Sequence, residues 1–198
     1  MSFTDGNLKD ARKIYTVFTA VRSLDKFYER IMTPVMTKIG EMWAKGELSI
    51  ATEHVASNTA HSLVKVISDD YRKSKKTKGI IVLTTPVGED HTLGCNMLDS
   101  FLASKGFTIF NLSPSTPAES LIEFIKASKP NALFVSVTLE ENIRMGQRLV
   151  KKIHEKFNSL QIFIGGQAFS QKTNFKFDGQ LISNSQMLEQ IPRIIKNK

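Results

Sequence analysis

Hydrophobic positions in the first part of the chain recur at three- and four-residue spacing, the repeat of one helix face. Leu8, Ala11, Ile14, Tyr15 and Phe18 form the first stripe; Phe27, Tyr28, Ile31 and Met32 form the second, with Ser23 placed to cap it. Pro34 lacks an N–H and crowds the turn before it, which predicts a break or restart of the helix. A third helix then runs to about Trp43, Lys45-Gly46 stops it, and Ser49 caps a fourth that continues to about Tyr71. Short helices with short connections predict an antiparallel four-helix bundle.

Beyond residue 79 the pattern changes. The runs 79–86, 107–113, 132–138 and 161–166 are short, apolar and rich in β-branched and aromatic residues, and a weaker strand falls at 180–183. Helical patterns at 92–105, 118–128 and 140–158 lie between them, and another begins near 185. Strands alternating with helices predict an α/β fold: a Rossmann-like, flavodoxin-like doubly wound parallel sheet, its strands buried on both faces. The polar stretch RKSKKTKG, residues 72–79, reads as a connector. It divides the chain into a helical-bundle cap at 1–74 and a Rossmann-like domain at 79–198.

Composition narrows the class. At 198 residues, with 41% hydrophobic and 23% charged, the chain can bury a substantial core. It has no run long enough to span a membrane, and its first residues lack the basic-then-apolar order of a secretory signal. Cys95, the single cysteine, cannot form an internal disulfide. A cytoplasmic protein is expected. The net charge of +8 comes from scattered lysines, with one clump at Lys73, Lys75, Lys76 and Lys78, and no nucleic-acid-binding motif accompanies them. A solvated surface is the expected use of that charge.

In open α/β sheets ligands sit beyond the carboxyl ends of the strands, where strand order reverses. The first strand runs into GEDHTLG, residues 88–94, which places His91 two residues after the carboxylate of Glu89 and next to Asp90. An imidazole can ligate a metal through one nitrogen while a carboxylate holds its other N–H. Gly94 lets the backbone approach a large planar ligand. Ser136 and Thr138 share one face at the end of the third strand, and Gly165-Gly166 at the end of the fourth leaves room for a ring system. Each signal has a plain structural alternative, an idle loop histidine or ordinary turn chemistry. Their joint appearance at strand ends is the informative feature. His61, His154 and Cys95 read as packing or surface residues.

Residues 79 to about 196 resemble the cobalamin-binding domain of methionine synthases, corrinoid methyl carriers and cobalamin-dependent mutases. Its D-x-H-x-x-G motif appears as Glu89-Asp90-His91-Thr92-Leu93-Gly94, with glutamate for aspartate; its Ser-x-Leu as Ser136-Val137-Thr138; its Gly-Gly as Gly165-Gly166. The resemblance implies that His91 displaces the dimethylbenzimidazole base from cobalt, while the freed tail enters a slot lined by the serine and glycine motifs. Asn142 is a further candidate partner. In the helical part, Pro34, Ile39-Gly40, Trp43, Gly46, Glu47, Ser49 and Glu53-His54 resemble a narrower group, the light-sensing cobalamin-dependent transcriptional regulators. That likeness implies that Trp43 packs over an adenosyl group, Ile50 touches it, and Glu53 and His54 bond its ribose or base. Ala44 stands where some of these regulators carry a second histidine.

The expectation is therefore a binding protein rather than an enzyme: a photoreceptor that binds adenosylcobalamin in preference to methylcobalamin and signals through a partner protein. Direct DNA binding is not expected, and a homo-oligomer is left open. The alternative is a corrinoid carrier that shuttles methyl groups for a methyltransferase system.

Overall fold

The structure, a computed structural model, describes residues 2–72, 77–169, 177–182 and 185–195. Its contacts divide the chain into two compact units, Met1–Asp70 and Tyr71–Lys198. Of the polar connector expected at 72–79, residues 73–76 lie outside the described residues. Among the described residues no helix is long and apolar enough to cross a membrane.

The first unit is helical. Its helices are α1 (Leu8–Thr19), α2 (Leu24–Phe27), α3 (Thr33–Ala44) and α4 (Ile50–Tyr71). Phe27 is fully buried and meets Tyr15 and Phe18 edge-on at 5.3 and 5.8 Å. Met32, Ile39, Ala56, Ala60, Leu63, Val64 and Ile67 complete the core. Two end signals read from the sequence are in place. Ser49 Oγ accepts the Thr52 N–H at 3.1 Å, capping α4. At the end of α3 the Gly46 and Glu47 N–H groups return to the Trp43 and Met42 carbonyls, closing a Schellman motif. Pro34 behaves differently from the expected break. A π-helical turn, Tyr28–Met32, joins α2 to α3, and Pro34 sits in the first turn of α3, where a missing N–H costs least. The path continues through it.

The second unit is a five-stranded sheet of β1 (Ile80–Thr84), β2 (Thr108–Asn111), β3 (Ala132–Ser136), β4 (Gln161–Gly165) and β5 (Gln180–Ile182), all parallel, in the order β2-β1-β3-β4-β5. Helices α5 (Leu93–Ser104), α6 (Ala118–Ser128), α7 (Ile143–Lys156) and α8 (Ser185–Ile194) follow the strands. Both faces of the central strands are apolar. Val82, Leu133, Val135, Ile162 and Ile164 pack with Leu121, Ile125, Leu149, Val150 and Ile153 of α6 and α7. Phe134 and Phe163 stack at 4.6 Å. Burying these β-branched and aromatic side chains at roughly 2 kcal/mol each drives the unit's folding. The strands stop short of the expected runs: β1 ends at Thr84, and Thr85-Pro86 already belongs to the loop. Strand order reverses between β1 and β3, and the loops after these strands stand at the switch point where open α/β sheets place their ligands.

Candidate functional site

Two of those loops meet around a buried carboxylate. Pro86–Glu89 forms a turn closed by the Glu89 N–H on the Pro86 carbonyl at 3.0 Å, with Gly88 at φ 87° in the position where a type II turn requires it. The turn drives the Glu89 side chain inward, to 0% exposure. Its Oε2 accepts the backbone N–H groups of Thr138 and Leu139 at 2.9 and 3.0 Å and the Asn142 side-chain amide at 3.1 Å, all from the loop after β3. Its Oε1 accepts the His91 backbone N–H at 3.2 Å and pairs with His91 Nδ1 at 2.7 Å. Burial opposes the charge, but the donors from Leu139, Asn142, Thr138 and His91 outweigh it and hold the carboxyl below its ordinary range.

An ionised carboxylate only accepts, so Nδ1 of His91 carries a proton, and in the neutral ring the lone pair is then on Nε2. The His91 side chain is 55% exposed, against none for Glu89. One nitrogen is thus fixed from inside, on a ring that is otherwise half exposed. Val87 and Leu139, on the same two loops, are exposed apolar side chains. Among the described residues no three His, Cys, Asp or Glu side chains gather into a cation cage. A lone, oriented imidazole with an apolar rim suits a metal that arrives with a macrocycle filling its other positions, so the residues fit a corrinoid.

The remaining expected residues fall into place unevenly. Thr138 contributes its backbone N–H to Glu89, and Asn142 turns out to hold Glu89 in place. Asp90 is exposed and makes no bond to a described residue. A Cβ on Gly94 would lie 3.1 Å from Ser136 Oγ, so these two positions adjoin. Gly165 and Gly166 do not simply leave an open crevice: a Cβ would meet the Ile182 carbonyl at 2.7 Å and the Val137 carbonyl at 2.2 Å. The neighbouring backbones take up that space. Cys95 is buried, and desolvation pushes its thiol up to about 12.

The helical unit holds the other candidates. Trp43 is 48% exposed and Ile50 57%, so neither is a core residue. They lie on either side of the α3–α4 turn. Glu53 accepts from Ser57 Oγ at 2.6 Å and pairs with His54 Nδ1 at 2.8 Å, the same carboxylate–imidazole pairing seen at His91. His61, further along α4, has its pKa lowered by burial. Thr85 and Ser115 were not among the expected residues. Thr85 is fully buried at the end of β1, and its hydroxyl donates to the Glu89 carbonyl at 2.8 Å and accepts the Ser115 N–H at 2.8 Å. A second threonine at a strand end was the only signal for it in the sequence.

Comparison with known proteins decides the family. Two family models, each described as a B12 binding domain, match residues 79–178 and 4–68. The chain belongs to the B12-binding family. Cobalamin is therefore its cofactor, with the upper ligand unspecified. Among relatives of this B12-binding chain, the trimethylamine corrinoid protein of Methanosarcina barkeri is 24% identical over 164 residues, covering 79% of this chain and 75% of that protein. The structure of the Methanosarcina barkeri monomethylamine corrinoid protein superposes with a TM-score of 0.76 at 16% identity, covering 96% of this chain and 92% of that one. The methanol:cobalamin methyltransferase complex of the same organism matches with a TM-score of 0.51 at 16% identity, over 98% of this chain and 76% of that chain. The likeness in structure establishes the shared fold of helices followed by a parallel sheet.

Proposed function

We propose that this chain is a corrinoid carrier protein, which holds cobalamin with His91 as lower axial ligand and presents a methyl group to a methyltransferase partner. The single observation that supports it most is the buried Glu89 clamping His91 Nδ1 at the β1/β3 switch point, with Nε2 left free. The relatives are named as corrinoid proteins of trimethylamine and monomethylamine, not as light sensors or transcriptional regulators. The photoreceptor expectation is accordingly replaced by its alternative. It rested on the residues around Trp43, whose types do not distinguish one upper ligand from another.

When bound, the corrinoid supplies a cobalt centre that takes up and releases a methyl group. The protein's own residues do the rest. His91 Nε2 would hold the metal, and the Glu89 charge would strengthen that donor while fixing its tautomer. Val87 and Leu139 offer apolar surface to the ring. Ser136 and Gly94, whose positions adjoin, would line the slot for the nucleotide tail. In the helical unit, exposed Trp43 and Ile50, with the Glu53–His54 pair, are the residues that would contact the corrinoid.

Reconstitution in the dark with methylcobalamin, hydroxocobalamin and adenosylcobalamin tests the proposal, with spectra and native mass recorded before and after green light. The carrier binds methyl- and hydroxocobalamin with an imidazole lower ligand, loses that ligand in His91→Ala, and keeps the same assembly in the light. Retention of adenosylcobalamin alone, with a light-driven change in assembly, contradicts it.

A further inference from the structure

We infer that Thr85 and Ser115 are positioning residues for the cobalt ligand, acting on His91 through the turn that carries Glu89; the inference rests on the carrier reading above. Neither hydroxyl bonds His91. Together they grip the backbone on both sides of Glu89. Ser115 Oγ accepts the Gly88 N–H at 2.8 Å, ahead of the Glu89 Cα. Thr85 Oγ1 donates to the Glu89 carbonyl at 2.8 Å, beyond that Cα. The Ser115 N–H, in turn, donates to Thr85 Oγ1 at 2.8 Å, so the two anchors are linked. The Thr116 N–H on the Thr85 carbonyl, at 3.3 Å, adds a second tie between the loops after β1 and β2.

Ser115 thus holds the Val87–Gly88 peptide, the Glu89 N–H on the Pro86 carbonyl holds the next one, and Thr85 holds the peptide after Glu89; together they set the direction of the Glu89 Cα–Cβ bond. For Glu89 that direction decides whether the carboxylate reaches the Thr138 and Leu139 N–H groups and the imidazole together. Ser115 supports the idea independently. It sits at φ 57°, a left-handed conformation that L side chains avoid, and from there both its N–H and its Oγ are engaged by this clamp. Bound geometry of this kind must hold to within about half an ångström, and supporting bonds are what hold it.

The test uses the full chain reconstituted with hydroxocobalamin and then reduced to the cobalt(II) form. Nitrogen splitting in its paramagnetic resonance spectrum, measured with ordinary and 15N-labelled histidine, reports imidazole ligation. Thr85→Val keeps the shape of the side chain and removes the hydroxyl; it is expected to weaken binding by about tenfold and reduce the histidine-split fraction. Thr85→Ser, which keeps the hydroxyl, is expected to restore both. Ser115→Gly removes the other anchor while relieving the left-handed strain. A purely structural role predicts unchanged ligation in that variant, whereas a positioning role predicts a similar loss with no drop in the unfolding midpoint. Should Thr85→Val not fold, Ser115→Gly alone decides. Wild-type ligation and affinity in the folded variants overturn the inference by itself; a wild type that lacks the histidine splitting overturns the carrier reading, and the inference with it.

Discussion

Glu89→Gln changes one oxygen to NH2 and almost nothing in size, which makes it a sharp probe of the His91 clamp. The carboxylate takes five N–H donors. If the amide nitrogen occupies the Oε2 position it opposes three of them, from Thr138, Leu139 and Asn142. If it occupies the Oε1 position it opposes only the backbone and ring N–H of His91, so this second placement is the one adopted. The ring must then accept at Nδ1, which moves its proton to Nε2. The atom meant for cobalt becomes a donor. The His91 backbone N–H is left without an acceptor, at about 1–3 kcal/mol, and the three surviving bonds lose their ionic strengthening, giving a total of about 2–4 kcal/mol in unfolding free energy. Corrinoid affinity should fall about 10- to 100-fold, the usual effect of losing a carboxylate behind a ligating imidazole. Urea unfolding of the apoprotein and absorbance titration with hydroxocobalamin measure the two quantities. A glutamine variant with a wild-type midpoint and a histidine-ligated spectrum would refute the reasoning.

Three other outcomes follow from the same structure. Gly166→Ala places a Cβ against the Val137 carbonyl at a left-handed φ of 120° and should destabilise by about 3 kcal/mol or more, read by urea unfolding. With its thiol buried and pushed up to about 12, Cys95 should resist alkylation at pH 8 until denaturant is added; rapid labelling of the native protein, followed by mass spectrometry, would contradict its burial. Arg72 bonds both Asp99 oxygens, at 2.8 and 2.6 Å, and burial nevertheless keeps the Asp99 pKa above its ordinary value. Because the folded protein takes up that proton more readily than the unfolded chain, the pair weakens as pH falls through the raised pKa. Arg72→Ala should therefore cost about 1–2 kcal/mol at pH 8 and less near pH 4, since the guanidinium is half exposed; an equal loss at both would refute the linkage.

The sheet was legible because parallel strands covered on both faces must be continuous apolar runs, and Ile80–Thr84 and Ala132–Ser136 are just that. Ser49 and Gly46 announced helix ends through local chemistry, which a sequence displays directly. Pro34 misled because the π turn before it is a property of the packed helix, not of the proline. At the site, spacing gave the Glu89–His91 pair, with the longer arm of glutamate in place of aspartate. What makes that arm work is the loop after β3, about fifty residues on, whose N–H groups hold the far oxygen. The Thr85–Ser115 clamp is invisible for the same reason: it joins loops whose closeness exists only after folding. Trp43, expected among the cofactor-binding residues, lies on the last turn of α3 and is half exposed. The light-sensing likeness was carried by such helical-unit residues, whose types alone do not specify the chemistry at an upper ligand.

A crystal structure of the protein reconstituted with hydroxocobalamin would test the whole account most directly. It should show continuous density from cobalt to His91 Nε2, Nδ1 still on Glu89, and the benzimidazole tail withdrawn from the metal. Cobalt bound by its own benzimidazole, with His91 turned away, would contradict the account.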